Sequence, residues 1–124
     1  MSFIFRRLFG STPTATMDAA KVKAQQLIDD NAVMVFSKSY CPYCNKAKSL
    51  FSSLDVEYKA IELDQVDDGS QVQLALYEIS NQRTVPNIFI GGAHIGGSSD
   101  LDNVDKNGKD GKSLKELLKA ANAL

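Results

Sequence analysis

Two cysteines, Cys41 and Cys44, are the residues of this sequence best suited to chemistry. They are the only cysteines in the 124-residue chain, and they stand in the motif Cys41-Pro42-Tyr43-Cys44. Since no other cysteine is present to pair with, the chain cannot be a disulfide framework. Two thiols at this spacing can alternate between a dithiol and a disulfide, which predicts a redox site in a reducing compartment. The alternative is a pair of inert buried thiols, which would leave the flanking Pro42 and Tyr43 unexplained.

The cysteine motif lies where the sequence pattern changes from strand to helix. Residues 32–36 form a short apolar run that predicts a strand buried on both faces. Apolar residues then follow the motif at the spacing of one helical face: Ala47, Leu50, Phe51 and Leu54. Pro42 suits the first position of that helix, because its missing N–H would have no partner there. Cys41 is therefore expected at the helix cap, where free N–H groups of the first turn point at its sulfur.

This placement predicts different roles for the two thiols. A helix start carries positive partial charge, so it favours the thiolate form of Cys41, and nearby Lys38 adds a cation. The thiolate is the form of a cysteine that attacks a disulfide. Cys44 lies one turn inside the helix on the same face, with less access to solvent and less help from the helix dipole. We therefore expect Cys41 to be the nucleophile and Cys44 to resolve the mixed disulfide that forms.

A zinc site is the rival interpretation of the cysteine pair. Structural zinc takes four protein ligands, whereas this chain offers two cysteines and one histidine, His94, far along the sequence. We therefore expect no metal site and interpret His94 as an ordinary strand residue.

The remaining elements are predicted from periodicity and turn signals. In chain order they are a helix from Met17 to Asp29-Asp30-Asn31, a strand over 56–63, a helix opening at Ser70, a hairpin of strands 87–90 and 93–95 around Gly91-Gly92, and a last helix behind the capping box Ser113 and Glu116. A helix between the first two strands calls for parallel pairing with a right-handed crossover, and the hairpin adds antiparallel strands. The predicted fold is α/β, a mixed four-stranded sheet with helices on both faces.

Residues 1–16 differ in composition from the rest of the chain. They contain Arg6, Arg7 and several Ser and Thr but no acidic residue, which is typical of a mitochondrial transit peptide. The alternative is a disordered tail, and Met17 could start a shorter, cytosolic form. We predict one domain over residues 17–124, preceded by an N-terminal extension over 1–16. We expect the protein in the cytoplasm, and also in mitochondria if residues 1–16 direct import. The net charge of −1 and the lack of a long apolar run favour neither nucleic acid nor membrane as a partner.

Three short motifs of the chain resemble those of the dithiol glutaredoxins, in order and with similar spacing. They are Lys38-Ser39-Tyr40-Cys41-Pro42-Tyr43-Cys44, Gln82-Arg83-Thr84-Val85-Pro86 and Gly96-Gly97-Ser98-Ser99-Asp100. Thioredoxin itself is a poorer match, since its active site reads Trp-Cys-Gly-Pro-Cys. The resemblance implies the thioredoxin fold, glutathione as co-substrate, and reduction of protein disulfides and of glutathione mixed disulfides. Its partners would be glutathione and glutathionylated or disulfide-containing proteins, and we expect a monomer.

The resemblance also implies a glutathione site. Lys38 and Gln82 match family positions that hold the glycyl carboxylate, and Tyr43 is similar to a tyrosine that lines the groove. Thr84, Val85 and Pro86 match the loop opposite the cysteines, where the family has a cis proline and Val85 would pair its backbone with the glutathione cysteine. Gly97, Ser99 and Asp100 begin a helix whose N–H groups suit the γ-glutamyl carboxylate, while the Asp100 carboxylate suits the ammonium.

Some of these residues have simpler alternatives. Lys38 could be a solvated charge, Asp100 only a helix cap, and the pair Gly96-Gly97 only a turn, while Arg83 could join the carboxylate site. A second function from another class is a dimer that bridges a [2Fe–2S] cluster through the nucleophilic cysteine and glutathione, as some glutaredoxins do. Pro42 argues against it, because cluster-binding relatives often have a small residue there.

Overall fold

Helices and strands alternate along residues 13–124, which are the residues that this computed structural model describes. The helices are α1 (Pro13–Asp30), α2 (Pro42–Ser53), α3 (Gly69–Ser80), α4 (Ser98–Asn107) and α5 (Leu114–Ala120). The strands are β1 (Val33–Ser37), β2 (Lys59–Glu62), β3 (Asn87–Ile90) and β4 (Ala93–Gly96). Residues 1–12 lie outside the described part, and so does most of the predicted N-terminal extension. Within the described residues, no helix is long and apolar enough to cross a membrane.

The four strands form one mixed sheet in the order β2-β1-β3-β4. β1 pairs in parallel with β2, so that Val35 lies opposite Ala60 and Ser37 opposite Glu62. β1 pairs antiparallel with β3, and β3 with β4. The predicted mixed four-stranded sheet is therefore confirmed.

Helices cover both faces of the sheet. Successive residues of β1 point to opposite sides, so they pack against different helices. Val33 and Val35 pack with residues of α2, α4 and α5, among them Phe51, Leu101 and Leu118. Met34 and Phe36 pack on the other side with residues of α1 and α3, among them Ala24, Ile28 and Leu76. All of these side chains are almost fully buried. Helices on both faces were predicted, and this is confirmed.

Some predicted boundaries are wrong by a few residues. α1 begins at Pro13 instead of Met17, a start that suits a proline in the first turn. β2 is shorter than the predicted strand over 56–63, because the N–H of Val56 turns back to the carbonyl of Phe51. α3 begins at Gly69, one residue before the predicted Ser70.

Candidate active site

The cysteine motif forms the start of α2, immediately after the loop that leaves β1. Cys41 is the cap residue, with extended backbone angles (φ −88°, ψ 112°), and Pro42 occupies the first helical position. The N–H of Cys41 donates to the carbonyl oxygen of Lys38 at 3.1 Å, which closes the approach loop. The N–H of Cys44 donates to Cys41 Sγ at 3.2 Å. The first turn of α2 thus offers one of its N–H groups to the sulfur of the cap residue.

The two thiols differ in their access to solvent. Both cysteines are free; Cys41 is partly exposed, and Cys44 is fully buried. Cys41 Sγ also lies 3.9 Å from the carbonyl oxygen of Val85 on the opposite loop. Cys41 is therefore the more accessible of the two sulfurs to a molecule that arrives from solvent.

The pKa of the Cys44 thiol is raised above its ordinary value of 9.0, chiefly by burial and further by its hydrogen bond with Cys41. Contacts with the Lys38 backbone and the Ser37 hydroxyl act in the opposite direction, because hydrogen bonds to the sulfur favour its anion. Cys44 is therefore a neutral thiol at neutral pH.

The loop before β3 is held by glutamine side chains. The peptide bond between Val85 and Pro86 is cis. Gln82 Nε2 donates to the carbonyl oxygens of Thr84 (3.1 Å) and Pro86 (2.9 Å), and Gln73 Nε2 donates to that of Arg83 at 2.8 Å. Gln82 thus uses both amide protons to brace the loop that faces Cys41, a role that the sequence did not indicate.

The start of α4 presents a further polar group, the carboxylate of Asp100. Asp100 Oδ2 accepts a hydrogen bond from the N–H of Gly97 at 2.8 Å. Gly96 has φ +120°, and a Cβ at this position would overlap the Asp100 carboxylate. A glycine is therefore required at 96 both by its backbone conformation and by the close approach of Asp100.

These elements enclose a groove beside Cys41 with a volume of about 520 Å³. Its lining residues are Tyr43, Gln82, Thr84, Val85, Pro86, Gly97, Ser98, Ser99 and Asp100. The structure therefore brings together eight of the nine predicted glutathione-binding residues. It adds Ser98, which the sequence places in the same helix start. A cleft of similar volume lies at the opposite end of β1 and is lined partly by Asp55 and Glu57; neither cysteine reaches it.

Comparison with known proteins identifies the family. The glutaredoxin family model matches residues 33–95. Glutaredoxin-C2 of Arabidopsis thaliana is 49% identical over 105 residues, which make up 85% of this chain and 91% of that protein. This chain belongs to the glutaredoxin family. It is therefore a thiol–disulfide oxidoreductase of that family, and the resemblance inferred from the three motifs is confirmed.

Two further glutaredoxins show how far the similarity extends. A crystal structure of a buckwheat glutaredoxin–glutathione complex aligns with a TM-score of 0.84 at 44% identity, covering 91% of this chain and 98% of that one. The thioredoxin-like fold is thereby confirmed. Glutaredoxin-2, mitochondrial, of Rattus norvegicus is 49% identical over 85 residues, which are 68% of this chain and 54% of that protein.

Two cations near this glutaredoxin site lie outside the groove. The half-buried Lys38 is not among the residues that line it. Hydrogen bonds from Ser39 are the main cause that lowers the pKa of Asp64, and the charge of Lys38 adds a smaller lowering effect. The guanidinium of Arg83 lies over the ring of Tyr77, 4.2 Å from its centroid. The Arg83 guanidinium thus packs against Tyr77 of α3, and Arg83 is not among the residues that line the groove.

Sequence reasoning missed a polar cluster behind Cys44. Ser37 Oγ donates to Glu62 Oε1 at 2.9 Å, and Lys48 Nζ donates to the same oxygen at 2.6 Å. Ser37 and Glu62 end two neighbouring parallel strands and face each other in register, whereas Lys48 lies one helical turn after Cys44. The available signal was a polar residue beside the end of each predicted strand: Ser37 directly follows residues 32–36, and Glu62 is the last residue but one of 56–63.

Both the ring and the backbone carbonyl of His94 have polar partners within the fold. His94 Nε2 lies 2.9 Å from Asn87 Oδ1, and Lys109 Nζ donates to the His94 carbonyl at 2.9 Å. Burial, then the charge of Lys109, lowers the pKa of His94. Among the described residues, no group of three or more His, Cys, Asp and Glu side chains is placed to hold a metal ion.

Proposed function

We propose that this glutaredoxin uses glutathione to reduce protein disulfides and glutathione mixed disulfides, with Cys41 as nucleophile and Cys44 as resolving thiol. The observation that carries the proposal is the contact of the partly exposed Cys41 with Val85, a residue that lines the groove, while Cys44 is buried one turn further along α2. The buckwheat relative was crystallised as a glutathione complex, which supports the same ligand here.

The groove has the groups that glutathione needs. Glutathione carries two carboxylates and one ammonium. The first N–H groups of α4, at Ser98 and Ser99, lack partners within the helix and suit the γ-glutamyl carboxylate. Asp100 offers its carboxylate to the ammonium. The backbone of Val85 faces Cys41, so it suits the peptide groups beside the glutathione sulfur.

The glycyl carboxylate has fewer contacts available. Lys38 is half-buried and is not among the residues that line the groove, so its side chain would have to extend toward this end of the ligand. Gln82 would have to release one of the loop carbonyls that it now holds. We therefore propose that Lys38 supplies the charge, and that Gln82 acts mainly by shaping the loop.

Two routes follow from the two thiols. On a glutathionylated protein, the Cys41 thiolate attacks the glutathione sulfur, the protein thiolate leaves, and a second glutathione thiolate attacks Cys41–glutathione, releasing glutathione disulfide. On a protein disulfide, the Cys41 thiolate attacks one client sulfur, the bond between the two client sulfurs breaks, the other client sulfur leaves as a thiolate, and a mixed disulfide with Cys41 results. Cys44 then attacks the Cys41 sulfur, the client thiolate leaves, and two glutathiones reduce the Cys41–Cys44 disulfide.

Turnover of a glutathionylated peptide tests the proposal. Reduced glutathione is supplied, and glutathione disulfide is followed by coupled oxidation of NADPH. We expect turnover by the wild type and none above background by Cys41→Ser. The same peptide blocked with cysteamine is the control, and it should turn over more slowly because cysteamine lacks the groups that the groove binds. Equal rates on both substrates would refute a glutathione site.

The [2Fe–2S] alternative stays a prediction. The ultraviolet–visible spectrum of freshly purified protein tests it, because a bound cluster absorbs visible light and colours the protein brown.

A further inference from the structure

The loop that carries the chain from β1 to Cys41 is attached to the end of β2 by one acidic side chain. The loop consists of residues 38–40, and Ser39 is one of its exposed residues. Asp64 Oδ1 accepts a hydrogen bond from the N–H of Ser39 at 2.9 Å. Asp64 Oδ2 accepts a second hydrogen bond from the Ser39 hydroxyl. Both oxygens of one carboxylate therefore hold one residue of the loop, two positions before Cys41.

The backbone on both sides of Asp64 is itself hydrogen-bonded. The N–H of Leu63 donates to the carbonyl oxygen of Ser37 at 2.8 Å, which continues the pairing of β1 with β2 beyond Glu62. The N–H of Gln65 donates to the carbonyl oxygen of Glu62 at 3.0 Å, so the chain turns directly after the strand. Asp64 lies between these two bonds. Its carboxylate thus projects from backbone that the sheet holds in place, and it can anchor the loop.

The charge of Asp64 strengthens its contact with Ser39. Hydrogen bonds to an ionised carboxylate are roughly twice as strong as those between neutral groups. The pKa of Asp64 is lowered from its ordinary value of 3.8, first by the bond from the Ser39 hydroxyl and then by the bond from the Ser39 N–H. The carboxylate is therefore ionised at neutral pH, the state in which it accepts both bonds.

The position of the Cys41 sulfur depends on how the chain enters α2. Cys41 is the cap residue, and its sulfur accepts a hydrogen bond from the N–H of Cys44 at 3.2 Å. The N–H of Cys41 donates to the carbonyl oxygen of Lys38 at 3.1 Å, so the residue that Asp64 holds lies inside this turn. Hydrogen bonds to a thiolate stabilise it, and the thiolate is the attacking form of a cysteine. A sulfur that moves away from the helix start loses this support.

We propose that Asp64 is a positioning residue for the nucleophile: by holding Ser39, it keeps Cys41 at the start of α2. This inference rests on the proposed role of Cys41 as nucleophile. Asp64 is not among the residues that line the groove, and it acts only through the loop. A misplacement of about 1 Å can slow a reaction about 10²-fold, so an anchor two residues before the sulfur can control the reactivity of that sulfur.

The rival role for Asp64 is purely electrostatic, and it has the opposite sign. A negative charge near Cys41 disfavours a thiolate there, so removing that charge would make the sulfur more reactive. Removing an anchor would make the sulfur less reactive. The direction of the change in reactivity therefore separates the two roles.

The reactivity of Cys41 can be measured without glutathione. The reduced protein is treated with iodoacetamide at pH 7, and mass spectrometry gives the rate at which Cys41 is alkylated. Iodoacetamide is small and uncharged, so this rate does not depend on the groove, whereas turnover of a glutathionylated peptide depends on both the sulfur and the groove. If Cys41 of the wild type is not alkylated, its role as nucleophile fails and the anchor fails with it. If it is alkylated, the variants decide on the anchor alone.

Asp64→Ala removes both acceptors, and we expect it to slow the alkylation of Cys41 roughly tenfold. Turnover of the glutathionylated peptide should fall in the same proportion, because both reactions use the same sulfur. Asp64→Asn loses the charge, but its amide can accept from the Ser39 N–H and donate to the Ser39 oxygen. This variant should therefore keep most of the wild-type rate. Asp67→Asn, at an exposed residue shortly after Asp64, is the charge-matched control and should leave both rates unchanged.

Ser39→Ala tests the same contact from the other side, and it does so even if Asp64→Ala fails to fold. It removes the hydroxyl of an exposed residue and keeps the N–H contact, so alkylation of Cys41 should slow less than in Asp64→Ala. Ser39→Ala should have no further effect when it is added to Asp64→Ala, because both substitutions break one contact.

The opposite results would overturn the anchor. Faster alkylation of Cys41 in Asp64→Ala would show that Asp64 acts only as a charge. Wild-type alkylation with slower peptide turnover would place the effect of Asp64 in glutathione binding. Equal slowing in Asp64→Ala and Asp64→Asn would show that the hydrogen bonds to Ser39 do not matter, and additive slowing in the double variant would show that the two residues act separately.

Discussion

The backbone N–H of Cys44 donates a hydrogen bond to the sulfur of Cys41 at 3.2 Å, across the first turn of α2. One short segment therefore does two things: it donates a hydrogen bond to the sulfur of the proposed nucleophile, and it places the proposed resolving thiol on the same helical face. Because Pro42 occupies the first helical position, the turn is held in this form before any substrate arrives.

The division of labour between the cysteines can be tested by single substitutions. Cys44→Ser should keep its activity on glutathionylated peptide, because that route needs one protein thiol and a second glutathione. It should lose much of its activity on protein disulfides that require both thiols, whereas Cys41→Ser should lose both activities. Coupled NADPH oxidation measures both reactions. The opposite pattern, with Cys44→Ser inactive and Cys41→Ser active, would reverse the assignment.

Asp100 has two possible roles, and substitutions at this residue distinguish them. Asp100→Ala removes both the carboxylate and the acceptor for the Gly97 N–H, whereas Asp100→Asn keeps an acceptor and loses the charge. If the carboxylate binds the glutathione ammonium, both variants should raise KM for glutathionylated peptide. Losing a charge-assisted hydrogen bond costs on the order of 1.5–3 kcal/mol, or roughly tenfold or more in affinity. A wild-type KM in Asp100→Asn would leave Asp100 as a helix cap only.

Gln82 is expected to act through the loop that it braces. Gln82→Ala should lower the free energy of unfolding by on the order of 1–2 kcal/mol, because the variant loses two hydrogen bonds to loop carbonyls. Urea unfolding measures this change, and Gln25→Ala in α1, where the amide donates to the side chain of Asp29 in an exposed hydrogen bond, is the matched control. A raised KM with unchanged stability would instead indicate that Gln82 contacts the glutathione carboxylate directly.

Local patterns in the sequence predicted the elements and their caps well. The capping box is an example: Ser113 Oγ accepts from the N–H of Glu116, and Glu116 Oε1 accepts from the N–H of Ser113. Both partners lie within one turn, so four consecutive residues contain all the information needed. The strand-to-helix position of Cys41 is another case, since Pro42 and the apolar spacing after it are adjacent in sequence.

The choice of side-chain partners could not be predicted in the same way. Gln82 had several possible acceptors, and the loop conformation decides that it donates to Thr84 and Pro86. The contact between Ser37 and Glu62 depends on the register of β1 and β2, which a residue-by-residue pattern does not specify. Arg83 lies over Tyr77 because α3 ends beside the loop. These partners depend on the three-dimensional arrangement of the elements.

The predicted role of residues 1–16 can be tested separately from the structure. Fused to a fluorescent reporter, a transit peptide of this composition should carry the reporter into mitochondria. A matched fusion with Arg6→Glu and Arg7→Glu should stay in the cytosol, because import sequences are basic and poor in acids. Fluorescence microscopy with a mitochondrial dye gives the result. Cytosolic fluorescence from both fusions would favour the disordered tail.

The buried Cys44 thiol predicts how the stability of the reduced protein changes with pH. The pKa of Cys44 in the folded protein is raised above the ordinary value of 9.0, and burial is the main cause. At a pH between the pKa of Cys44 in the unfolded chain and its pKa in the folded protein, the unfolded chain has lost the thiol proton while the folded protein keeps it. The contribution of Cys44 to stability is therefore fully present below about pH 9. It is lost progressively as pH rises toward and through the folded value.

Comparing Cys41→Ser with Cys41→Ser/Cys44→Ala, both kept reduced, isolates this contribution without a disulfide. The difference between their free energies of unfolding, measured in urea at pH 7, 9 and 10, should shrink as pH rises, by up to about 1.4 kcal/mol per unit. Groups common to both variants cancel in this difference. Iodoacetamide at pH 7 should modify Cys41 in the wild type and leave Cys44 unmodified. A constant difference across pH, or equal alkylation of both thiols, would show that Cys44 does not remain a buried neutral thiol.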